Sequence, residues 1–192
     1  MASSIVMLVA MVGCIENDIP YPVVKLDILS VEAEGLVSDA AIDNAAHEVV
    51  LSLEETTDIR NVHITSVSMT EGAKSDVLFP GVFDLRIPLY VMLTKYQSFE
   101  WSIVAEQNIE RYFTVEGQIG ETEIDEEHHI ATVKVPMDFD LKSVVVTSAK
   151  LGPKDITTYY PDPMTITDFH DSIRNVTIVY HNDIEEQWTL CV

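Results

Sequence analysis

Cysteine is scarce in this chain, which has only Cys14 and Cys191 among its 192 residues. A disulfide framework normally uses an even set of cysteines spread through the mature fold. Two cysteines, of which one is residue 14 and the other lies next to the C-terminus, do not make such a set. We therefore exclude a disulfide framework and expect apolar cores to stabilise the fold, for which 47% hydrophobic residues suffice. Cys191 follows Trp188 in an apparent terminal strand. We interpret it as a small packing residue or a thiol on the less buried face of that strand, not as a nucleophile.

Positive charge is also scarce, with 11 Lys and Arg against 32 Asp and Glu, a formal net charge of −21. Residues 1–13 carry none of these charged side chains, so the rest of the chain is strongly acidic. Such a surface repels phosphate backbones and anionic lipids, which excludes nucleic-acid binding and peripheral electrostatic membrane binding. It is typical of a hydrated, soluble exterior.

Motifs of the common catalytic classes are missing. The sequence has no Gly-Xaa-Ser-Xaa-Gly elbow, no phosphate-binding glycine loop, no His-Glu-Xaa-Xaa-His helix and no evident pair of hydrolase carboxylates. We therefore predict a protein that is not an enzyme, with no catalytic residue and no cofactor.

The acidic stretch at residues 125–129 (DEEHH), with Glu121 and Glu123 just before it, is the one cluster rich in metal-ligand residue types. It lies at a turn, however, and zinc ligands usually come from separated, convergent elements. We interpret it as a solvated hairpin and predict no metal site there.

The apolar run at residues 5–13 (IVMLVAMVG) is too short to span a bilayer, which takes about 20 residues. Its length fits the apolar region of a secretory signal. The sequence Met11-Val12-Gly13-Cys14 resembles a lipobox, with Met where Leu is commoner. This resemblance implies a signal peptide at residues 1–13, cleavage after Gly13 and lipid on the thiol of Cys14. Two or three lipid chains would anchor the protein stably, at about 0.8 kcal/mol per buried methylene.

One feature departs from such a signal, because residues 1–4 (MASS) contain no Lys or Arg. A buried N-terminal strand is the alternative interpretation of the apolar run. Residues 14–22 (CIENDIPYP) are acidic and contain two prolines, which predicts an extended tether.

Two internal repeats organise the remainder of the chain. Asp58 matches Asp140 (140 − 58 = 82), and further blocks recur at the same separation. The other matched pairs at this separation are Glu34 and Glu116, Ile42 and Ile124, Leu51 and Val133, and Thr65 and Thr147. Near the ends, Trp101 matches Trp188 at a separation of 87 (188 − 101), so the second copy carries about five extra residues. We expect these around residues 159–163.

Short alternating apolar runs separated by turn signals predict strands throughout both repeats. We predict an all-β fold of two tandem immunoglobulin-like sandwiches, at residues 23–106 and 107–192, joined by a fairly stiff connection. Each would contain a hairpin, at Asp43-Asn44 or Asp125-Glu126, and a final hairpin that closes on the tryptophan strand. Alternation places one set of side chains in the cores and their neighbours outside. The inward set is Val49, Leu51, Leu53, Ala131, Val133 and Val135, and the two tryptophans are expected to be core residues.

The segment Tyr159-Tyr160-Pro161-Asp162-Pro163 predicts a loop. Exposed aromatic side chains on a loop can stack on sugar rings, which makes Tyr159 and Tyr160 candidate glycan contacts. The alternative is a proline-rigidified connection whose tyrosines pack on their own sandwich.

The start motif at residues 14–22, followed by an immunoglobulin-like repeat that contains Gly35 and closes on Trp101, carries a family likeness. It resembles Bacteroidota outer-surface lipoproteins, in particular the "putative carbohydrate metabolism domain" (PCMD) lipoprotein family. In that family such modules are spacers before a C-terminal jelly roll associated with glycans, for which this sequence has no counterpart. The resemblance implies a lipid anchor in the outer membrane, surface exposure, and a polysaccharide or another surface protein as partner.

The sequence thus predicts a lipid-anchored cell-surface stalk or binding module, non-catalytic and associated with glycan capture. The alternative is a structural adhesin or fimbria-like subunit that assembles by strand pairing.

Overall fold

The computed structural model describes residues 25–170 and 173–192. The predicted signal peptide, the predicted tether and Cys14 therefore lie outside the described residues. The first repeat contains β1 (Ile28–Ala33), β2 (Ala41–Asp43), β3 (Glu48–Leu53), β4 (Val62–Met69), β5 (Lys74–Ser75), β6 (Gly81–Phe83), β7 (Leu89–Thr94) and β8 (Ser98–Gln107). The second repeat contains β9 (Tyr112–Val115), β10 (Glu123–Asp125), β11 (Ile130–Thr132), β12 (Val146–Lys150), β13 (Thr158–Tyr160), a 3-10 turn (Pro163–Thr165), β14 (Ile173–Tyr180) and β15 (Ile184–Cys191).

The first repeat forms two sheets. One has the strand order β1-β4-β6, and the other has the order β2-β3-β8-β7-β5. All neighbouring strands are antiparallel except β3 and β8, which run parallel from Glu48 opposite Ser102 to Leu53 opposite Gln107. Strand β1 thus belongs to one sheet and the next two strands, β2 and β3, belong to the other, so that the first strands of the repeat are divided between the two sheets as in immunoglobulin-like sandwiches.

The second repeat reproduces this connectivity, except that its smaller sheet has two strands instead of three. Strands β9 and β12 pair antiparallel, and the other sheet has the order β10-β11-β15-β14-β13, with β11 and β15 parallel. The prediction of an all-β, sandwich-like fold is confirmed. The boundaries predicted at residues 106 and 107 stay a prediction. In the described part of the chain, no helix has the length and apolarity needed to cross a membrane.

Each repeat has its own cluster of buried apolar side chains. The first cluster is centred on Trp101 and the second on Trp188, and neither ring is accessible to solvent. The interpretation of both tryptophans as core residues is therefore confirmed.

The predicted alternation holds where the strands are regular. Val49, Leu51 and Leu53 are buried, while Val50 and Ser52 between them are partly exposed. Ala131 and Val133 are also buried in the second repeat, but Val135 is only partly buried. The reason is that β11 ends at Thr132, so Val135 lies beyond the regular strand.

The turns repeat in atomic detail. His47 and His129 have the same positive φ of 54°, and Gly35 and Gly117 have φ of 77° and 78°. The side chain of Asp43 accepts hydrogen bonds from the backbone N–H groups of Ala45 and Ala46, which closes the β2–β3 hairpin. Asp125 accepts one from the N–H of His128 in the β10–β11 hairpin. Both predicted hairpins are therefore confirmed.

The extra residues of the second repeat are distributed differently from the prediction. Ile59 and Leu141 match at a separation of 82. Leu85 donates its N–H to Ile59 and Phe169 donates its N–H to Leu141, so Leu85 and Phe169 match at a separation of 84. Val91 and Val176 each pair with a tryptophan and match at 85, and the tryptophans themselves match at 87.

Two extra residues therefore lie between residues 141 and 169, one lies between 169 and 176, and two lie at the tip of the β14–β15 hairpin. The expectation that all five fall around residues 159–163 is wrong. Adding one residue to each strand of a hairpin preserves the inward-outward alternation, so the sequence pattern does not show where it happens.

Candidate functional site

The junction between the repeats is held at both of its ends. The side-chain amide of Gln107, at the end of β8, donates to the carbonyl oxygens of Glu54 (2.7 Å) and Thr57 (2.8 Å). Beyond residues 108–110, the guanidinium of Arg111 donates to the carbonyl oxygen of Leu151 at 2.9 Å. The connecting segment contains neither Gly nor Pro, so both its composition and its contacts favour a stiff connection.

An ion pair joins the two repeats directly. The Lys150 ammonium lies 2.6 Å from a carboxylate oxygen of Glu55, and the two side chains are only 12% and 22% exposed. Because both groups are largely withdrawn from water, the pair is screened less than an exposed surface pair.

A second ion pair lies between the repeats and uses the fork of one arginine. Arg60 donates to both carboxylate oxygens of Asp183 at 2.8 Å, and also to both oxygens of Asp58. These hydrogen bonds hold the pKa of Asp58 well below its usual range, and they lower the pKa of Asp183 as well. A bidentate arginine fixes orientation as well as distance, so this contact resists twisting of one repeat against the other.

Polar groups converge around Trp188 in the second repeat. Glu186, whose side chain is 16% exposed, accepts hydrogen bonds from the Tyr180 hydroxyl (2.6 Å) and the Trp188 indole N–H (3.0 Å). The His129 ring stacks on the indole, with 5.2 Å between ring centroids. Burial and the hydrogen bond to Glu186 raise the pKa of Tyr180. Both oxygens of Glu186 are therefore engaged within the fold.

The first repeat builds the same corner without a carboxylate. His47 packs on Trp101 with 5.2 Å between centroids, and Phe99 occupies the position of Glu186. The Trp101 indole N–H instead donates to the carbonyl oxygen of Leu26. The histidine and tryptophan pair is thus part of the shared fold.

The acidic hairpin uses its side chains locally. Asp125 accepts hydrogen bonds from the backbone N–H and the ring of His128, which lower its pKa. Glu126 forms an ion pair with Arg111 at 2.9 Å. Residues 25–170 and 173–192 contain no group of three side chains placed to hold a metal ion.

The two candidate glycan contacts face opposite directions. Residues 158–160 form strand β13, not the loop that the prolines suggested, because this segment pairs with β14 before the chain reaches Pro161. Tyr159 packs against the core, burial raises its pKa, and its hydroxyl accepts a hydrogen bond from the N–H of Leu151 at 3.1 Å. Tyr160 points outward and is 62% exposed. Cys191 is partly exposed on the terminal strand.

An exposed aromatic side chain on the first repeat was not predicted from the sequence. Tyr90, on β7, is 59% exposed and borders a cavity of about 180 Å³ that Glu100, Ser102 and His47 also line. An aromatic face beside hydroxyl and carboxylate groups is chemistry that suits a sugar ring. Tyr90 alternates with buried Val91, and this outward position in a core strand was the available signal.

A larger groove on the first repeat, which we call the β4–β5 groove, was also not predicted from the sequence. It has a volume of about 490 Å³ and lies between residues 65–69 of β4 and the segment 74–80. Its apolar lining comes from Val67, Met69, Val77 and Phe79. The signal in the sequence was the run Val77-Leu78-Phe79-Pro80, which lacks the polar alternation of the other strands.

Comparison with known proteins gives no family. No family model and no curated protein matches the chain. Among solved structures, a protein of Bacteroides thetaiotaomicron VPI-5482 named "putative glycoside hydrolase" is similar over 83% of this chain, with 12% identity and a TM-score of 0.42. The chain spans less than half (46%) of that protein. No activity is carried over from this degree of similarity.

Proposed function

We propose that this protein is a lipid-anchored, non-catalytic stalk that carries a binding surface away from the outer membrane, with Cys14 as the anchor. The observation that supports the proposal best is the junction, where ion pairs and side-chain hydrogen bonds hold one repeat against the next. A stalk needs stiffness because a floppy connection would let the distal part fold back onto the membrane.

The acidic surface is consistent with that role. A chain with a net charge of −21 is repelled by anionic headgroups and by its own copies, which keeps a dense layer of stalks upright and hydrated. This charge would also reduce nonspecific attachment to nucleic acid.

Membrane fractionation of two cysteine variants tests the anchor. We expect Cys14→Ala to move from the membrane fraction to the soluble fraction, because the lipid attachment is lost. Cys191→Ala is the matched control and should remain in the membrane. If Cys14→Ala still fractionates with membranes, the anchoring proposal is wrong.

Distance measurements between spin labels test the stiffness. Labels at Tyr96→Cys and Met137→Cys, both exposed sites, would report the separation of the repeats in a background with Cys14→Ala and Cys191→Ala. We expect a narrow distribution that broadens in the Lys150→Met variant. A distribution that is already broad before that substitution would contradict a stiff stalk.

Glycan capture is the binding activity that we propose for this stalk, with outward aromatic side chains as contacts. Tyr160 and Tyr90 are exposed, whereas Tyr159 is committed to the core. Binding to bacterial and plant polysaccharides should fall at least tenfold in Tyr160→Ala or Tyr90→Ala and stay unchanged in Tyr159→Phe. Equal binding by all variants would remove these tyrosines as contacts.

A structural adhesin or fimbria-like subunit is the second candidate, and the strand edges favour it. Strands β2 and β5 are the outer strands of one sheet, and β10 and β13 are those of the corresponding sheet. Such edges can pair with another chain. Concentration-dependent oligomers in light scattering would support this candidate, and a strict monomer that binds polysaccharide would support the stalk.

A further inference from the structure

Two strand edges border the β4–β5 groove. Strand β6 pairs only with residues 62–64 of β4, while residues 65–69 of β4 pair with β1 on the opposite side. Strand β5 pairs only with β7. Within the described residues, the two sheets therefore end at the groove without a strand between them. An extended segment can add to such edges through main-chain hydrogen bonds.

The floor of the groove is apolar and reaches the core. Val67, Met69, Val77 and Phe79 are partly buried and pack against the first core cluster. At the mouth, Leu78 is largely exposed. Exposed apolar side chains next to an apolar depression are typical of a binding surface for another polypeptide.

The second repeat covers the corresponding place with its own residues. Leu151 matches Met69 (151 − 69 = 82) and is fully buried, and its N–H donates to the hydroxyl of Tyr159. Pro163, in the 3-10 turn, is buried beside it, and Ile166 packs on the same core. An aromatic ring with a polar tip, followed by proline, is thus the chemistry that covers this edge.

One exchange between the repeats leaves a large side chain out of the groove in the first repeat. Tyr159 pairs with Ile178, which matches Leu93, and Leu93 pairs with Ser75. Ser75 therefore occupies the position of Tyr159 and lines the groove. A serine is too small to cover the edge, so the space that the tyrosine fills in the second repeat remains open.

Charge selects among the polypeptides that could fill this space. The lining contains one charged side chain, the cation Lys74, so the part of a ligand that lies inside the groove should be uncharged and basic residues are favoured only outside it. The whole chain carries −21, so a second copy is repelled, whereas a segment with basic flanks is attracted.

We propose that the β4–β5 groove binds an extended segment of a different protein, in which an aromatic side chain is flanked by apolar and then basic residues. The segment adds as a strand along residues 65–69, and its aromatic ring enters the space above Ser75. This binding activity does not depend on the proposed lipid anchor or on glycan capture.

A synthetic peptide tests the proposal. It contains the sequence of residues 158–166 (TYYPDPMTI) with two lysines added at each end, and it is titrated into the isotope-labelled full chain. We expect the amide resonances of residues 65–69 to shift and saturate with a dissociation constant below about 1 mM. A scrambled peptide is the control and should leave these resonances in place.

Variants of one residue make the test specific. Ser75→Tyr should cover the groove as Tyr159 does in the second repeat, and should weaken peptide binding at least tenfold. Ser75→Ala is the matched control and should bind like the wild type. Replacing the added lysines with glutamates should weaken binding at least tenfold at low salt.

Four outcomes would overturn the proposal. The first is that the peptide leaves the resonances of residues 65–69 unshifted, and the second is that it binds Ser75→Tyr as tightly as the wild type. Shifts of these amides on dilution would identify a second copy as the occupant. Shifts on removal of residues 1–24 would identify the chain's own N-terminal segment instead.

Discussion

The ion pair between Lys150 and Glu55 gives the sharpest test of how the repeats are joined. With an N–O distance of 2.6 Å and side chains 12% and 22% exposed, it lies between an exposed pair and a fully buried pair. Exposed pairs contribute about 0.2–1 kcal/mol, and breaking a buried pair costs about 3–5 kcal/mol. We therefore expect Lys150→Met to lower the free energy of unfolding by about 1–2 kcal/mol. Methionine keeps most of the apolar part of the lysine side chain and removes the ammonium group.

A double-mutant cycle isolates the pair from other effects of each substitution. Urea unfolding of Lys150→Met, Glu55→Gln and the double variant should give a coupling energy of about 1 kcal/mol, with an unchanged denaturant slope. Tyr112→Phe, an outward change on the neighbouring strand, is a control that should change stability little. A coupling energy below about 0.2 kcal/mol would refute the inference that this contact holds the repeats together.

Three further predictions follow from other sites. Gly35→Ala should lower the free energy of unfolding by at least about 2 kcal/mol, because the added Cβ would meet the Thr57 hydroxyl at 2.1 Å and φ is +77°. Gly120→Ala, also at positive φ but in open space, should lower it by only about 1 kcal/mol. Equal losses in urea unfolding would contradict the clash at Gly35. Because the pKa of Tyr180 is raised in the folded state, its contribution is fully present below about pH 10 and is lost at higher pH, so wild-type stability should fall more steeply above pH 10 than that of Tyr180→Phe. Zinc or calcium should leave the melting temperature unchanged, because the acidic hairpin uses its carboxylates for local contacts; a rise of several degrees would show a metal site.

Much of the fold could be predicted because the sequence pattern of each turn and strand occurs twice, once in each repeat. The separation of 82 residues aligned turn with turn, and the alternation around Leu51 and Val133 identified the inward faces. The positions of the extra residues could not be predicted, since two of them lengthen a hairpin without disturbing its alternation. The assignment of Tyr159 and Tyr160 to a loop failed because the prolines that follow dominated the local pattern.

The candidate sites were less predictable because a side chain is available for binding only where no other part of the sandwich packs against it. Sequence chemistry drew attention to Tyr159 as an exposed ring, but its hydroxyl covers the N–H of Leu151 across the sandwich. That contact depends on the register of β13 against β14, which no local pattern specifies. The apolar run at residues 77–80 was a signal of the β4–β5 groove, but its opening could not be predicted, since Ser75 is an ordinary strand residue until it is compared with Tyr159 in three dimensions.

The parallel pairing at each repeat has a mechanical consequence. A protein fixed at one end and loaded at the other is pulled along its chain. The parallel pairs β3–β8 and β11–β15 are then loaded in shear, because the force runs along the strands. The hydrogen bonds of a pair loaded in this way must break together. The first repeat pairs β3 and β8 over six residues, but the second pairs β11 and β15 over only three. Under tension, the repeat farther from the N-terminus would therefore give way first, and the repeat nearer to it would keep its shape.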